Sequence, residues 1–374
     1  MKVLWHGYLG KLHSWSIVAQ SLSREFKRNN YDIDLFSTNG IEHFPEDLKE
    51  NLKGYLEDKI TSINEYNKKT TLLKDKYDIQ CSYTVMPNFG KYFKRGSSNR
   101  FAIWCYEFAG KNSLPNGFAK NHLYVDKILA PSNNAKEIFI DSGVPESKLF
   151  VLPHGYSESF INKSSKLNLS NKFKFGANIA QCHMRKNIPG LLESWGKAFT
   201  NKDDVCLILK VSTNNQKMPF EVDFYKILKE FKNKYKDHAE IIVLNKYIED
   251  ISDFYRECDV IFSLSNAESF LMPALETLAS KKLLICSNYG GQLDFCNNDN
   301  SLLVSGSMVR ADPKMLYWEQ KNTFVFEPDT NDAADKLKHA YHNYDSIISK
   351  IDFNPIINNY SWQNIFKNLE TLIK

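Results

Sequence analysis

No apolar run in the 374-residue chain approaches the ~18 residues that a membrane-spanning helix needs, so a soluble protein is expected. The opening Met1–Trp5 is a short apolar burst before His6 and Gly7; it lacks the h-region of a secretory signal, and a cytoplasmic location is the expectation. Cysteine offers no framework. The seven (Cys81, Cys105, Cys182, Cys206, Cys258, Cys286 and Cys296) are odd in number, scattered and without a C-x-x-C pair, which excludes a disulfide scaffold or a zinc ribbon and fits a reducing compartment. Short-period repeats and low-complexity tracts are absent too. Charge of one sign is also scarce: 48 Lys+Arg against 44 Asp+Glu leaves +4, too little and too dispersed to imply nucleic acid. The whole excess lies within residues 1–165, with 22 basic against 18 acidic residues. That mild bias suits an anionic membrane surface or a lipid-phosphate acceptor, so peripheral membrane contact stands among the expected partners.

What is present is ordinary globular usage, 43% hydrophobic and 25% charged, over a length that suggests two domains. Strand-length apolar runs alternate with helical stretches, the pattern of stacked βαβ units and a parallel sheet. In the first half the expected strands are Lys2–Trp5, Asp32–Phe36, Ile79–Val85, Phe101–Tyr106, Lys127–Ala130 and Leu149–Leu152. Trp15, Val18, Leu22 and Phe26 recur every three or four residues in Ser14–Arg28, an amphipathic helix opened by a serine. The Ser-, Asn- and Lys-rich stretch after Pro153 breaks the periodicity. This places a first domain at 1–155, a linker at 156–172 and a second domain at 173–355, with a last helix in 356–374 that crosses back to the first. Strands are expected at Phe173–Ala180, Val205–Val211, Ala239–Leu244, Val260–Leu264, Leu283–Ser287 and Leu302–Val304. Helices are expected at Ile188–Phe199, Phe220–Tyr235, Ile251–Cys258, Met272–Ser280, Ala333–Ile351 and Trp362–Ile373. The fold class is therefore α/β, two Rossmann-like domains enclosing a cleft at the carboxyl ends of their sheets.

The most informative stretch is Val260–Cys286, where Glu268 and Glu276 lie eight positions apart between two apolar strands. Pro273 belongs in a first helical turn, where its missing N–H costs nothing, so a helix should start near Leu271–Pro273. Its free amides attract a diphosphate, Glu276 one turn in can accept from ribose hydroxyls, and Glu268 ahead of the helix faces what the diphosphate carries. Arg185 and Lys186, after the first strand of the second domain, add positive potential at a leaving group. Asp32-Ile-Asp34 lies within a strand rather than on a loop, so no metal is expected. His339 and His342, three apart on a helix, lack a third ligand nearby and read as surface residues.

These residues resemble the retaining glycosyltransferases of family four, which have the GT-B fold. The family signature is Glu-x7-Glu within Glu-Gly-Phe-Gly-Leu-Pro-x-x-Glu-Ala; this chain reads Glu268-Ser-Phe-Leu-Met-Pro273-Ala-Leu-Glu276-Thr. Lys186-Asn-Ile before a helix, Gly290-Gly291-Gln-Leu-Asp294 and a final Ser361-Trp362 helix follow the family's order across the second domain. Gly7-Tyr-Leu-Gly10, Ala130-Pro-Ser132 and Pro153-His-Gly155 match more loosely in the first. The resemblance implies that Glu268 contacts donor-sugar hydroxyls, Glu276 the ribose and Lys186 the diphosphate. It also implies that the leaving phosphate serves as base, so no enzymic nucleophile is named. Two departures stand out. The family's Arg, five positions before the Lys, is Gln181 here, so Arg185 supplies that charge or it is absent; Ser269 and Leu271 replace two glycines.

The expected catalytic set is Glu268, Lys186, Arg185 and Glu107, the last from a Trp104-Cys-Tyr-Glu107 strand end resembling a feature of mannosyltransferase-like members. The expected donor-binding set is Glu276, Ser269, Phe270, Leu271, Met272, Gly10 and Asp294. The resemblance implies transfer of a sugar, with retention, from a UDP- or GDP-sugar co-substrate to a glycan or lipid-linked acceptor. No cofactor, metal or nucleic acid is expected. Against this stand a nucleotide-sugar-binding protein without catalysis, and a GT-B relative acting on DNA or as an epimerase. The bland readings are a helix salt bridge for the two glutamates, a charged strand end for Arg185 and Lys186, a helix cap for Glu107 and a turn cap for Asp294. His154 is read as shaping a hinge, and Tyr317 and Trp318 in the insertion Ser305–Thr323 either stack on a sugar or fill a crevice.

Overall fold

A computed structural model describes residues 1–11, 13–55, 77–83, 99–161, 165–212 and 220–373. The chain divides into two compact units: residues 1–106, 114–155 and 360–374 form one, residues 107–113 and 156–359 the other. Both are doubly wound parallel sheets of the Rossmann type.

In the first unit the strands are β1 Lys2–Gly7, β2 Asp32–Ser37, β3 Leu52–Tyr55, β4 Ile79–Tyr83, β5 Asn99–Ile103, β6 Lys127–Ala130 and β7 Leu149–Val151. All neighbours pair in parallel, in the order β3-β2-β1-β4-β5-β6-β7. β1 and β4 are buried almost throughout, as central strands covered on both faces must be. β3 was not expected, because Lys53 and Gly54 give it no apolar alternation. Residues 84 and 85 of the expected strand at 79–85 lie outside the described residues. Helix α1, Ser14–Arg28, is capped not by its serine but by His13, whose ring accepts from the Trp15 amide at 3.2 Å. The expected strand at Phe101–Tyr106 stops at Ile103. Beyond it, Ala109 pairs with Phe324 of the second unit's hairpin, which draws residues 107–113 out of the first sheet. The chain's final helix returns to this unit, setting Phe366 edge-on against Phe26 at 4.9 Å while the Tyr31 hydroxyl donates to Glu370 at 2.8 Å.

The second unit carries β8 Phe173–Gln181, β9 Val205–Ser212, β10 Glu240–Leu244, β11 Val260–Ser263, β12 Leu283–Ser287 and β13 Leu302–Val304. Their order, β10-β9-β8-β11-β12-β13, reverses between β8 and β11. Its core centres on Phe175, Trp195 and Phe199, whose rings pack within 5.5 Å of one another, with the Trp195 indole N–H satisfied by the Ala239 carbonyl. Helix α2, Asn133–Asp141, belongs to the first unit; α3 Ile188–Ala198, α4 Phe224–Lys234, α5 Ser252–Glu257 and α6 Met272–Ala279 cover the second sheet. The expected helix at 220–235 opens only at Phe224, where Asp223 caps the Lys226 amide. Residues 165–169 of the expected linker are tied to α5: the Ser165 hydroxyl donates to the Asp253 carbonyl and the Leu169 amide to Glu257. The stretch 305–323, expected as irregular, opens with one arm of an antiparallel hairpin, β14 Gly306–Arg310 against β15 Phe324–Pro328. Helix α7, Thr330–Ile348, is kinked at Asn343, and α8, Asn354–Asn359, precedes the final helix α9, Trp362–Ile373.

Candidate active site

Ligands in open α/β sheets bind beyond the carboxyl ends of the strands where the strand order reverses. In the second unit that point lies between β8 and β11, and the loops leaving these two strands carry Arg185, Lys186 and Glu268. After β8, residues Met184–Lys186 make one 3₁₀ turn. Asn187, left-handed at φ 49°, then caps α3 by accepting from the Gly190 amide at 3.1 Å. The two loops are stitched together by backbone: the Asn266 amide donates to the Arg185 carbonyl at 2.8 Å, and Arg185 Nη1 donates to the Ala267 carbonyl at 3.0 Å.

Glu268 receives both cations on one oxygen. Lys186 Nζ lies 2.6 Å and Arg185 Nη1 2.8 Å from Oε1. Burial opposes ionisation of this carboxyl, but the two cations outweigh it and hold it at about 2. Arg185 also meets Glu107, its Nε 3.0 Å from Oε1, so one guanidinium bridges two carboxylates. Its pKa, lowered by burial and raised more strongly by Glu268, Tyr317 and Glu107, lies well above the ordinary value. Lys186 is pushed down, burial prevailing over Glu268. Glu107 is pushed up by burial despite Arg185. The four expected catalytic residues thus form one cluster within the second unit, though Glu107 reaches it as part of the segment bound to the hairpin rather than from a strand end.

The donor-binding set divides. Leu271 adopts φ 62°, ψ 68° at the start of α6, the left-handed conformation that glycine takes without strain, at the position where the resembled signature has glycine. Its side chain is buried and no side chain caps the helix; Pro273 has no N–H and the Ala274 amide donates to the Leu271 carbonyl at 2.9 Å, so the amide that the first turn can offer a ligand is that of Met272. Phe270 is buried and packs on Phe295 at 5.1 Å, whereas Ser269 and Met272 are part-exposed. Asp294 ends the short turn Gly291–Asp294, and that loop is fastened to the signature by the Gly291 amide donating to the Glu268 carbonyl at 3.0 Å. Glu276 is buried one turn into α6 and hydrogen-bonded to Tyr255, whose hydroxyl also accepts from Asn178 of β8 at 2.9 Å. Burial raises it to about 7, the Tyr255 bond pulling the other way. Gly10 belongs to the first unit. Its amide donates to Asn39 Oδ1 at 2.9 Å, and a Cβ there would fall 1.8 Å from the Gly40 carbonyl oxygen, which explains the glycine by a close backbone approach. Gln181 is held by Glu221 and His183. His154 is buried beside Tyr83 and Cys105, and burial alone pushes it to about 3, so it is neutral.

Tyr317 is the residue that the sequence left undecided. Its hydroxyl accepts from Arg185 Nε at 2.7 Å and donates to Glu107 Oε1 at 2.9 Å. The signal was an adjacent Tyr-Trp pair in a polar insertion, with nothing to say which loop it would meet. Tyr255 was missed altogether, because an aromatic on a helix face reads as core.

Residues 159–312 match the family described as glycosyl transferases group 1. No curated protein shows a significant match to the chain. Solved structures align over its whole length. HepE of Anabaena, solved with UDP and glucose, is 14% identical with a TM-score of 0.75, covering 100% of this chain and 99% of its own. A glycosyltransferase of Rickettsia africae is 18% identical at 0.71, covering 99% and 97%. Sucrose-phosphate synthase of Thermosynechococcus elongatus is 13% identical at 0.74, covering 99% and 98%. The fold is that of the GT-B proteins.

Proposed function

We propose that the chain is a retaining glycosyltransferase of family four that moves a sugar from a nucleotide diphosphate donor to a glycan or lipid-linked acceptor, without a metal. The observation that carries this is the convergence of Arg185 and Lys186 on Glu268 at the strand-order reversal, directly before the uncapped helix that holds Glu276. Breaking a bond to a diphosphate leaves negative charge on the leaving group and positive character on the sugar. The two cations and the start of α6 stabilise the first; Glu268 faces the second. When a diphosphate arrives, its oxygens take over the cations, and Glu268 is released toward the sugar hydroxyls. Glu276 takes the ribose, and Ser269, Met272 and the Asp294 loop close around the sugar. That HepE was solved with UDP-glucose supports a UDP-sugar over a GDP-sugar.

A binding-only protein is the second reading, favoured by Gln181, which places a neutral amide held by Glu221 where the resembled family has arginine. The deciding experiment is release of free nucleotide from UDP-, GDP-, ADP- and CMP-sugars in EDTA, with and without a glycan acceptor. Acceptor-dependent release from one donor supports the transferase. Release only with added metal overturns metal independence. A thermal shift with a nucleoside diphosphate and no turnover on any acceptor supports the binding-only reading, whereas conversion of the free sugar nucleotide marks an epimerase.

A further inference from the structure

Tyr317 lies in the loop of the β14–β15 hairpin, far in sequence from every other member of the charged cluster. The hairpin is fixed by the segment at 107–113: Ala109 and Phe324 exchange backbone hydrogen bonds of 3.1 and 2.9 Å. Gly110, at φ +122°, lets the Asn322 carbonyl approach to 2.0 Å from where a Cβ would stand. The ring of Tyr317 is held edge-on by Phe220 at 4.8 Å, Phe108 at 5.6 Å and His183 at 5.7 Å. Its hydroxyl is therefore delivered to one place, between Arg185 Nε and Glu107 Oε1.

The consequence falls on the guanidinium. Nε is taken by Tyr317 and Glu107, and Nη1 by the Ala267 carbonyl and Glu268. Among the described residues Nη2 has no hydrogen-bond partner, and the Lys186 ammonium bonds only to Glu268. A planar fork held at Nε and Nη1 cannot turn in its plane, so the placement of its Nη2 N–H groups is fixed. Resting on the nucleotide-sugar reading above, we propose that Tyr317 is a positioning residue that holds Arg185 with Nη2 free for the diphosphate, acting together with Glu107.

Tyr317→Phe tests this, since the ring and its aromatic packing remain and only the hydroxyl is lost. Binding of inorganic pyrophosphate and of UDP, GDP and ADP is measured by calorimetry from pH 5.5 to 9, on wild type, Tyr317→Phe, Glu107→Gln, their double variant and Lys186→Ala. Tyr317→Phe is expected to melt close to wild type and to bind pyrophosphate about tenfold more weakly, the scale of a hydrogen bond to a charged group. The double variant should lose no more than the larger single loss, because the two residues act through one guanidinium. A purely structural role would not move the pH profile. The groups facing Glu107 are Arg185, Glu268, Tyr317 and Lys186; Arg185, the Tyr317 hydroxyl and Lys186 favour its ionised form and Glu268 opposes it. The acid limb of binding should therefore shift to higher pH in Tyr317→Phe. Unchanged affinity and profile in Tyr317→Phe, with binding weakened in Lys186→Ala, overturns the positioning role and leaves the diphosphate site standing. No binding of any diphosphate to wild type overturns both.

Discussion

The Lys186 ammonium rests 2.6 Å from Glu268 Oε1, across 82 positions of sequence, and Arg185 reaches the same oxygen at 2.8 Å. One carboxylate oxygen thus collects two buried cations. Without ligand the cluster Arg185, Lys186, Glu107 and Glu268 balances two positive charges against two negative ones. On the proposed function, an incoming diphosphate takes the place of an internal anion rather than filling an uncompensated positive hole.

Removing that internal anion should show in opposite directions. Glu268→Gln takes from both Arg185 and Lys186 the carboxylate they share, and a broken buried pair costs about 3–5 kcal/mol. The variant should melt at lower temperature. Its cations are more available, so nucleoside diphosphate should bind at least as tightly as to wild type, while transfer falls by about 10²-fold or more because the sugar loses its carboxylate. Wild-type turnover in Glu268→Gln would remove Glu268 from the chemistry.

Lys186→Ala probes the cation that the proposal sets at the leaving group. A charge-assisted contact to phosphate contributes about 1.5–3 kcal/mol, so UDP or its preferred counterpart should bind roughly 10- to 100-fold more weakly. Binding of the nucleoside without phosphates should not change. Equal losses for nucleoside and nucleoside diphosphate, compared by calorimetry, would place Lys186 away from the phosphates.

The meeting of Arg185 and Lys186 with Glu268 was legible because the three come from two short stretches, Arg185-Lys186 and Glu268–Glu276, each following a strand that apolar patterning exposes. The parallel sheets were legible for the same reason, and Lys127–Ala130, Leu283–Ser287, Leu302–Val304 and Trp362–Ile373 have the same bounds in the structure. The route of Glu107 was not, since it depends on the pairing of Ala109 with Phe324 over more than two hundred residues. Nor was the left-handed backbone at Leu271, where a buried leucine overrides the local preference for glycine. The partner of Glu276 stayed hidden because Tyr255 meets it through burial, which no spacing rule encodes.

In the first unit, Gly155 packs flat on the start of α9. A Cβ there would stand 2.7 Å from the Trp362 ring and 3.0 Å from its Cα. Because one of those contacts is backbone, no rotamer change relieves it, and Gly155→Ala should destabilise by about 1–3 kcal/mol. The measurement is urea unfolding followed by tryptophan fluorescence. An unchanged midpoint would mean that α9 shifts freely against this unit.

The last prediction concerns pH. Glu276, raised by burial to about 7, keeps its proton in the folded chain over a range where the unfolded chain, with an ordinary carboxyl, has lost it. Stability from this group is therefore highest below the unfolded pKa of roughly 4.5 and declines as pH rises to about 7, by roughly 2–4 kcal/mol in all. Glu276→Gln removes the decline, so the variant should gain stability relative to wild type at pH 8 and gain little at pH 5, read from paired melts. Ribose binding runs the other way. If Glu276 takes the ribose as proposed, two hydroxyls donate to its ionised carboxylate, so nucleotide affinity should increase between pH 6 and 8 and proton release should accompany binding below pH 7, detected by calorimetry in buffers of different ionisation enthalpy. The neutral amide keeps one acceptor oxygen in place of two and carries no charge, so it holds the two hydroxyls more weakly. Glu276→Gln should bind nucleotide about tenfold more weakly at pH 8, with no slope across that range. A slope that persists in the variant would assign the titration to another group and leave Glu276 as a buried structural acid bonded to Tyr255.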